Sequence, residues 1–310
     1  MDGQNLPSTE NVHPTAGRWA HASTLEALHD FSAADQEALR AVEGAREDLA
    51  QAIDSIAPRL IAGGRLFYVG AGTSGRLAAL DAAECPPTFQ SDPTTVQAIL
   101  AGGPGAMLRA VEGAEDDESG GAQAIAERGV QAGDCVLGIS ASGGAPFVHG
   151  ALRAAREQSA WTGLLTCVPN PPHREALDAC IRLLTGAELL SGSTRMKAGT
   201  ATKMALSALS TLVMARLGKV YGHRMVDVAT HGNKKLWRRG VRLVGDIASV
   251  EEGRAETLLR EAQGSVKVAV VMEMGQVSES AARKRLAAEQ GHLDRVLTDL
   301  GVHRIPPASS

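Results

Sequence analysis

Three glycine- and hydroxyl-rich turns carry the residues best suited to chemistry, and each is predicted to follow a short apolar strand. They are Gly70-Ala71-Gly72-Thr73-Ser74-Gly75, Ser140-Ala141-Ser142-Gly143-Gly144 and Ser191-Gly192-Ser193-Thr194-Arg195-Met196-Lys197. Backbone amides, hydroxyls and the N-terminus of a following helix together bind phosphate or another small anion. A single turn of this kind is explained equally well by glycines that permit a tight bend. Three at one sheet edge predict a site for a phosphorylated, polyhydroxy small molecule.

The binding residues expected in these turns are glycines, hydroxyls and one cation. They are Gly72, Thr73, Ser74, Ser140, Ser142, Gly143, Ser193, Thr194 and Lys197. The first turn also has the G-x-G-x-x-G spacing of dinucleotide sites, which is weak evidence when it stands alone. A dinucleotide site needs an acidic residue after the next strand, and that strand ends in Ala101-Gly102-Gly103. The pattern therefore favours one phosphate over a dinucleotide.

Two acidic segments could supply general acid and base groups. Glu84 precedes Pro86 and Pro87, which are predicted to end a helix and hold the carboxylate at a corner. Glu112 and Glu115 lie in AVEGAEDDE, where Gly113 is predicted to interrupt a helix. The plainer alternatives are a surface residue before a turn for Glu84 and a solvated acidic face for the second segment.

The elements that must position these residues follow an alternating pattern. Short apolar runs predict five strands, in RLFYVGAG, VQAIL, CVLGIS, WTGLLTC and ACIRLLTG. A long helix is predicted from Ser32 to Gly63-Gly64 with a kink at Gly44, and a second in SGSTRMKAGTATKMALSALSTLVMARLG. Strands that alternate with helices predict an α/β fold, with a parallel sheet covered on both faces and ligands at the carboxyl ends of its strands.

Three regions are expected along the chain. Residues 1–33 are polar and are predicted to form an arm that lies on a larger body, and residues 34–228 the catalytic α/β domain. Residues 229–310 are charged and helical in period, which predicts a small helical domain. The segment SVKVAVVMEM has high β-propensity, but its Lys267, its Glu273 and its helical neighbours favour a buried helix.

Composition excludes several classes of protein. The chain has 310 residues, 44% of them hydrophobic, and a net charge of −4, so a dedicated nucleic-acid or membrane binder is not expected. Its four cysteines have no C-x-x-C spacing, which predicts reduced thiols and no zinc site. Without a basic segment followed by an apolar stretch at the N-terminus, we expect a cytoplasmic protein.

Taken together, the motifs resemble the N-acetylmuramic acid 6-phosphate etherases, a family of the sugar-isomerase (SIS) domain superfamily. The matching segments include YVGAGTSGRLAALDAAECPPTF, AVEGAEDD, GISASG, SGSTRMKAGTATKMALSALST and RLGKVYGHRMVDV, and they span nearly the whole chain in order. The resemblance implies a five-stranded parallel SIS sheet between helices, a helical C-terminal domain, and a homodimer with active sites near its interface.

The resemblance also implies a reaction and its residues. The D-lactyl ether of N-acetylmuramic acid 6-phosphate is removed by elimination and rehydration, which gives N-acetylglucosamine 6-phosphate and D-lactate. The family's acid/base glutamate falls on Glu84 and its second catalytic glutamate on Glu115. No metal or organic cofactor is implied. The alternatives are an aldose-ketose phosphosugar isomerase and a non-catalytic sugar-phosphate sensor.

Two segments depart from the family pattern. Where related etherases read Ala-Ser-Gly-Arg-Thr-Pro-Tyr, this chain has Gly144 and Ala145 in place of the Arg and the Thr. The turn Pro169-Asn170-Pro171-Pro172 also differs from the usual Asn-Pro-x-Ser. The first departure removes a charge and a hydroxyl beside a predicted phosphate loop, so lower phosphate affinity, a different leaving group or a different sugar is expected.

Overall fold

The structure is a computed structural model that describes residues 8–15 and 17–302. The described residues fall into two compact units. Unit 1 holds those up to Ala83 together with Pro93–Ser210, and unit 2 holds Glu84–Asp92 and those from Thr211 onward. The predicted arm over residues 1–33 lies partly outside the described residues, because residues 1–7 and 16 are not among them.

A parallel sheet of five strands forms the centre of unit 1. Its strands are β1 Leu66–Gly70, β2 Val96–Leu100, β3 Cys135–Ile139, β4 Trp161–Thr166 and β5 Ala179–Arg182, in the spatial order β2-β1-β3-β4-β5. β1, β3 and β4 are buried at every residue, as expected of strands covered on both faces. The predicted strands and the predicted α/β fold are confirmed.

The strand order reverses between β1 and β3. β1 pairs with β2 on one side and with β3 on the other, and Gly70 is level with Ile139. The turn after β1 and the turn after β3 therefore start side by side, while their chains leave toward opposite edges. In open α/β sheets this switch point leaves a crevice for ligands.

The helices of the α/β part cover the sheet. They are α1 Arg18–His21, α2 Thr24–Gly44, α3 Arg46–Ile61, α4 Gly72–Phe89, α5 Glu118–Glu127, α6 Pro146–Glu157 and α7 Lys197–Arg216. One apolar cluster joins Phe67 and Val136 of the sheet to Ile125 of α5 and Val148 of α6. The predicted second long helix is confirmed as α7.

The predicted helix start at Ser32 is wrong. α2 begins at Thr24, because Ser23 and Glu26 form a capping box in which each side chain accepts a hydrogen bond from the other's backbone amide. Arg18 also pairs with the buried carboxylate of Asp30, which lies in the part of α2 that the prediction left out. The predicted kink is a break, since α2 ends at Gly44 and α3 begins at Arg46.

The predicted helix end at Pro86 is also wrong, because α4 continues through Pro86 and Pro87 to Phe89. The two prolines lack amide hydrogens and so remove two helical hydrogen bonds from the last turn. Cys85 and Phe89 are both buried, and this apolar packing holds the turn in helical form. Glu84 therefore projects from a regular helix and not from a corner.

A buried polar network fixes α4 within unit 1. Tyr68 of β1 donates its hydroxyl hydrogen bond to Asp81 of α4 at 3.1 Å, and Ser210 of α7 donates to the other carboxylate oxygen at 3.1 Å. Burial raises the pKa of Asp81, while both hydrogen bonds favour its charged form. Three elements are thus joined beneath the turn that opens α4.

Unit 2 is mainly helical. Its elements are a hairpin of β6 Val220–Tyr221 and β7 Arg224–Met225, followed by α8 Lys234–Ala248, α9 Glu252–Glu261, α10 Val266–Gly275, α11 Glu279–Ala288 and α12 Leu293–Asp299. The prediction of a buried helix in SVKVAVVMEM is confirmed by α10. Lys267 is buried on this helix, and its ammonium group lies 2.8 Å from Asp227, which compensates the buried charge.

The cysteines match the prediction of reduced thiols. Cys85, Cys135, Cys167 and Cys180 are all free. Burial raises the pKa of the Cys135 and Cys167 thiols to about 12, so neither is a nucleophile at neutral pH. Within the part of the chain that the structure describes, no helix combines the length and apolar character needed to span a bilayer.

Candidate active site

A cavity of about 300 Å³ opens at the switch point of the sheet, and all of its lining residues belong to unit 1. Its walls include residues from the turns after β1 and β3, from the segment before α7 and from the N-terminal segment. The hydroxyl- and carboxylate-bearing residues among them are Thr9, Glu10, Thr73, Ser74, Glu115, Ser140, Ser142 and Thr194. The cavity can therefore hold a small polar molecule.

The first wall is the turn between β1 and α4. Ala71, Gly72, Thr73 and Ser74 line the cavity, and α4 begins at Gly72 with φ +52°. Gly75 lies so close to β1 that a Cβ there would be 2.5 Å from the Gly70 carbonyl oxygen. The glycine thus lets the first turn of α4 pack against the strand end, which leaves the helix N-terminus at the cavity, where it favours an anion.

The second wall is the turn between β3 and α6. The Ser140 and Ser142 hydroxyl oxygens lie 3.4 Å apart, so both hydroxyls stand at the same part of the cavity wall. Gly143 has φ +72° and is buried, and its carbonyl oxygen accepts a hydrogen bond from His149 Nε2 at 2.7 Å. Gly143 is not among the lining residues, and it acts by shaping the turn.

The third turn contributes less than the sequence predicts. Gly192 and Thr194 line the cavity, whereas Ser193 and Lys197 do not. Lys197 is buried and its ammonium group pairs with Glu37.

The start of α7 is capped by a carboxylate, although Ser193 and Thr194 carry the hydroxyls that would suit a cap. The carboxylate of Glu188 accepts hydrogen bonds from the Lys197 and Ala198 amides, each at 3.0 Å. Those two bonds offset part of the cost of burying Glu188, and burial still raises the pKa of this carboxyl. A carboxylate nine residues before the helix start gives no local capping signal in the sequence.

Glu115 lies in the cavity wall on a short 3₁₀ turn, Ala114–Asp116. The predicted helix interrupted by Gly113 is not present, since Gly113 has φ +72° and precedes that turn. Asp117 then caps α5 by accepting from the Gly120 amide at 2.8 Å, and this bond helps to lower its pKa. Arg76 of α4 holds the preceding segment through a 3.0 Å hydrogen bond to the Ala106 carbonyl oxygen.

Glu84 lies on α4 in the stretch that belongs to unit 2. Its side chain is exposed, and two turns of α4 separate it from Leu77. It therefore presents a solvated carboxylate on a rigid helix.

Two lining residues, Thr9 and Glu10, were not predicted. They come from the segment expected only to lie on a larger body, and Thr9 is fully buried there. The Thr9 carbonyl oxygen accepts a 3.3 Å hydrogen bond from the Gly192 amide. A polar N-terminal segment without periodicity gives no signal for such a role.

No cofactor site stands out in this geometry. In residues 8–15 and 17–302, no three His, Cys, Asp or Glu side chains are grouped as metal ligands are. The strand that follows the first turn, β2, ends at Leu100 and leads into Ala101 and Gly102, so the described cavity has no acidic ribose ligand at that point.

The fold is an SIS-type α/β fold, and a cavity with polar lining residues lies at the switch point of its sheet. Residues 48–156 match the family described as the glucokinase regulatory protein N-terminal SIS domain. The structure is also similar to that of a phosphoheptose isomerase from Francisella tularensis, with 19% identity, a TM-score of 0.49, and coverage of 63% of this chain and 100% of that one.

Curated relatives give the particular family. An N-acetylmuramic acid 6-phosphate etherase from Synechococcus sp. (strain CC9605) is 50% identical over 94% of this chain and 92% of its own length. One from Picosynechococcus sp. (strain ATCC 27264 / PCC 7002 / PR-6) is 50% identical over 93% of this chain and 96% of its own. The chain belongs to the N-acetylmuramic acid 6-phosphate etherase family.

Proposed function

We propose that the protein cleaves the D-lactyl ether of N-acetylmuramic acid 6-phosphate, which gives N-acetylglucosamine 6-phosphate and D-lactate. The observation that carries this proposal is the 50% identity to a named etherase over 94% of the chain. The cavity supports it, because hydroxyls and a helix N-terminus suit a phosphate while Glu115 supplies a carboxylate beside them.

The chemistry explains why such a site needs both kinds of group. An alkyl ether at C3 resists direct attack by water, but in the ring-opened sugar the C1 aldehyde acidifies the proton on C2. A base removes that proton, and an acid protonates the ether oxygen as lactate leaves from C3. Water then adds at C3 of the resulting double bond, and the same two groups act in reverse.

We assign the phosphate to the first two turns. Gly72, Thr73 and Ser74 provide the helix N-terminus and two hydroxyls, and Ser140 and Ser142 provide two more. Binding at C6 fixes the position of C2 and C3 relative to Glu115, so part of the phosphate binding energy orients the reacting carbons. Of the third turn, Thr194 joins this set, whereas Ser193 and Lys197 do not line the cavity. Gly143 of the second turn contributes through the shape that its φ of +72° gives to that turn.

Glu115 is the proposed base at C2 and Glu84 the proposed acid at the ether oxygen. We expect Glu84→Gln to fold normally and to lose turnover by about 10²-fold or more, the usual size of a lost general acid or base. Glu47→Gln, which changes another exposed carboxylate on a helix, is the matched control. Lactate release at a near wild-type rate in Glu84→Gln would remove this residue from the mechanism.

The proposal includes a catalytic domain over residues 34–228, a helical domain over 229–310, a homodimer and a cytoplasmic location, and it needs no metal or organic cofactor. The supports are the family membership and the 92% of the relative's length that the match covers. Sedimentation analysis of the purified protein tests the dimer, for which a single species of about twice the 32.2 kDa chain mass is expected.

Lactate release from N-acetylmuramic acid 6-phosphate tests the function. The expected result is one D-lactate per N-acetylglucosamine 6-phosphate formed, with no lactate from the Glu115→Gln variant. An aldose-ketose isomerase would interconvert sugar phosphates and release no lactate, and a sensor would bind without turnover. Either of those outcomes contradicts the proposal.

A further inference from the structure

Thr9 carries a buried hydroxyl without a partner. The residue has no exposed surface, and its Oγ1 has no hydrogen-bond partner among the described residues. Buried polar groups in proteins are nearly always hydrogen-bonded, so an exception at a cavity wall calls for an explanation. Since Thr9 lines the cavity at the switch point, a ligand in that cavity is the group that would satisfy it.

Glu10 adds a carboxylate at the same place. It lines the cavity, and within the described residues its carboxylate forms no hydrogen bond or ion pair. A Cβ on Gly192 would lie 2.6 Å from Glu10 Oε2, so the carboxylate passes directly over the backbone of this glycine. The carboxylate thus lies at the cavity, exposed and available to a ligand.

The segment that carries these two residues is attached on both sides. The Thr9 carbonyl oxygen binds the Gly192 amide at 3.3 Å, and Trp19 Nε1 donates to the Leu189 carbonyl oxygen at 3.2 Å. Between them, His13 is buried with its Nε2 atom 3.7 Å from Glu37, the carboxylate that also pairs with Lys197. The backbone that carries Thr9 and Glu10 is therefore anchored beside the cavity.

The chemical character of this wall differs from that of the turns after β1 and β3. Those turns offer amides and hydroxyls, which donate hydrogen bonds to phosphate oxygens. An ionised carboxylate only accepts, and it repels a phosphate placed beside it. Glu10 consequently suits a part of the ligand that is uncharged and rich in O–H and N–H donors, which in a sugar phosphate means the ring hydroxyls or the acetamido N–H.

We propose that Thr9 and Glu10 form a specificity-determining pair that binds the hydroxyl and amide donors of the sugar, apart from the phosphate contacts. This inference deepens the proposed function and rests on it for the identity of the sugar. The N-terminal segment is then part of the binding site. The sheet-edge turns bind the phosphate, and Thr9 and Glu10 bind the sugar.

Calorimetric binding of N-acetylglucosamine 6-phosphate and of inorganic phosphate to the full-length protein tests the pair. We expect Glu10→Ala to weaken the sugar phosphate by about 10-fold or more and to leave inorganic phosphate unchanged or tighter. Glu10→Gln should recover part of the loss, because its amide oxygen still accepts a hydrogen bond. Thr9→Val keeps the side-chain shape, removes the hydroxyl and should weaken only the sugar phosphate.

Glu43→Ala is the matched control, since it removes one exposed carboxylate of the same unit that does not line the cavity. Thermal denaturation of each variant confirms folding, and Glu10→Ala should keep the wild-type midpoint because no intramolecular bond is lost. Equal losses for both ligands, or no loss for the sugar phosphate, would overturn the proposal.

The two proposals fail in different ways. Wild-type protein that binds N-acetylglucosamine 6-phosphate but releases no lactate contradicts the proposed function, and the Glu10 and Thr9 measurements then still decide the role of the pair. Wild-type protein that binds inorganic phosphate but not the sugar phosphate overturns the pair, whatever the lactate assay gives.

Discussion

The cavity has two walls that the chain builds in different ways. The sheet-edge wall consists of the turns after β1 and β3, where each residue follows a buried strand and precedes a helix. The N-terminal wall consists of Thr9 and Glu10, which reach the cavity from a segment about 180 residues before the Gly192 that they contact. The first wall offers hydrogen-bond donors for an anion, and the second offers a carboxylate and an unpartnered hydroxyl.

Under the two proposals, anion binding and sugar recognition are supplied by separate parts of the sequence. The donors of the sheet-edge wall are fixed by regular secondary structure. The N-terminal wall depends on a few hydrogen bonds and on packing.

Glu115→Gln should have the largest effect. Loss of the proposed base predicts a fall in turnover of about 10²-fold or more, while N-acetylglucosamine 6-phosphate still binds, because the carboxylate acts on the C2 proton and not on the phosphate. Glu112→Gln is the control, since Glu112 lies on the same segment but does not line the cavity. Steady-state lactate release measures both variants, and near wild-type turnover in Glu115→Gln would remove it from the reaction.

Gly75→Ala should break the geometry of the sheet-edge wall. The new Cβ would lie 2.5 Å from the Gly70 carbonyl oxygen and 2.2 Å from Leu100 Cδ1, so α4 must move off the strand. We expect a loss of about 1–3 kcal/mol in the free energy of unfolding, as for other overpacked sites. Gly105→Ala has open space around its Cβ and should be near neutral. Equal denaturation midpoints for the two variants would contradict this account.

Ser142→Ala and Ser74→Ala test phosphate binding by the sheet-edge wall, whereas Glu10→Ala tests sugar binding by the N-terminal wall. Each should weaken 6-phosphorylated sugars and inorganic phosphate alike, by about 1–3 kcal/mol for a lost hydrogen bond to a charged group. Binding of unphosphorylated N-acetylmuramic acid should not change. If either variant lost affinity for the sugar phosphate but kept its affinity for inorganic phosphate, these serines would not be phosphate ligands.

Gly144→Arg should have the smallest effect and the opposite sign. A Cβ at Gly144 would meet only Ser142 Oγ at 4.0 Å, so the turn has room for a side chain. The guanidinium should leave affinity for sugar phosphates equal or raise it a few-fold, and the gain should shrink as salt is added. Gly144→Gln controls for size without charge. A large loss of turnover in the folded Gly144→Arg protein would show that the natural ligand fills this space.

Much of the α/β part could be predicted because its signals are local. The run CVLGIS predicts a buried strand, and Ser140 and Ser142 follow it within three residues. The predicted helix start at Ser32 is eight residues too late, because the Ser23 and Glu26 capping box lies within the polar segment expected to form an arm. The helical course through Pro86 and Pro87 was missed because apolar packing outweighs the two lost hydrogen bonds.

The parts of the candidate site that carry a local motif could be predicted from the sequence. The parts that depend on tertiary contacts could not. Ser74, Ser142 and Glu115 line the cavity as a set that the motifs had already marked. Thr9 and Glu10 carry no motif of their own, since their role comes from a backbone contact with Gly192. The spacing of Lys197 predicts an anion ligand, but in the structure its ammonium group forms an ion pair with Glu37.

The proposed reaction is the elimination of lactate from C3 of the sugar, followed by the addition of water at the same carbon. Incubation with N-acetylmuramic acid 6-phosphate in heavy-oxygen water, followed by mass spectrometry of both products, tests it directly. The account predicts one heavy oxygen at C3 of N-acetylglucosamine 6-phosphate and none in the lactate, because the bond between C3 and the ether oxygen is the one that breaks. Heavy oxygen in the lactate, or no lactate at all, would contradict it.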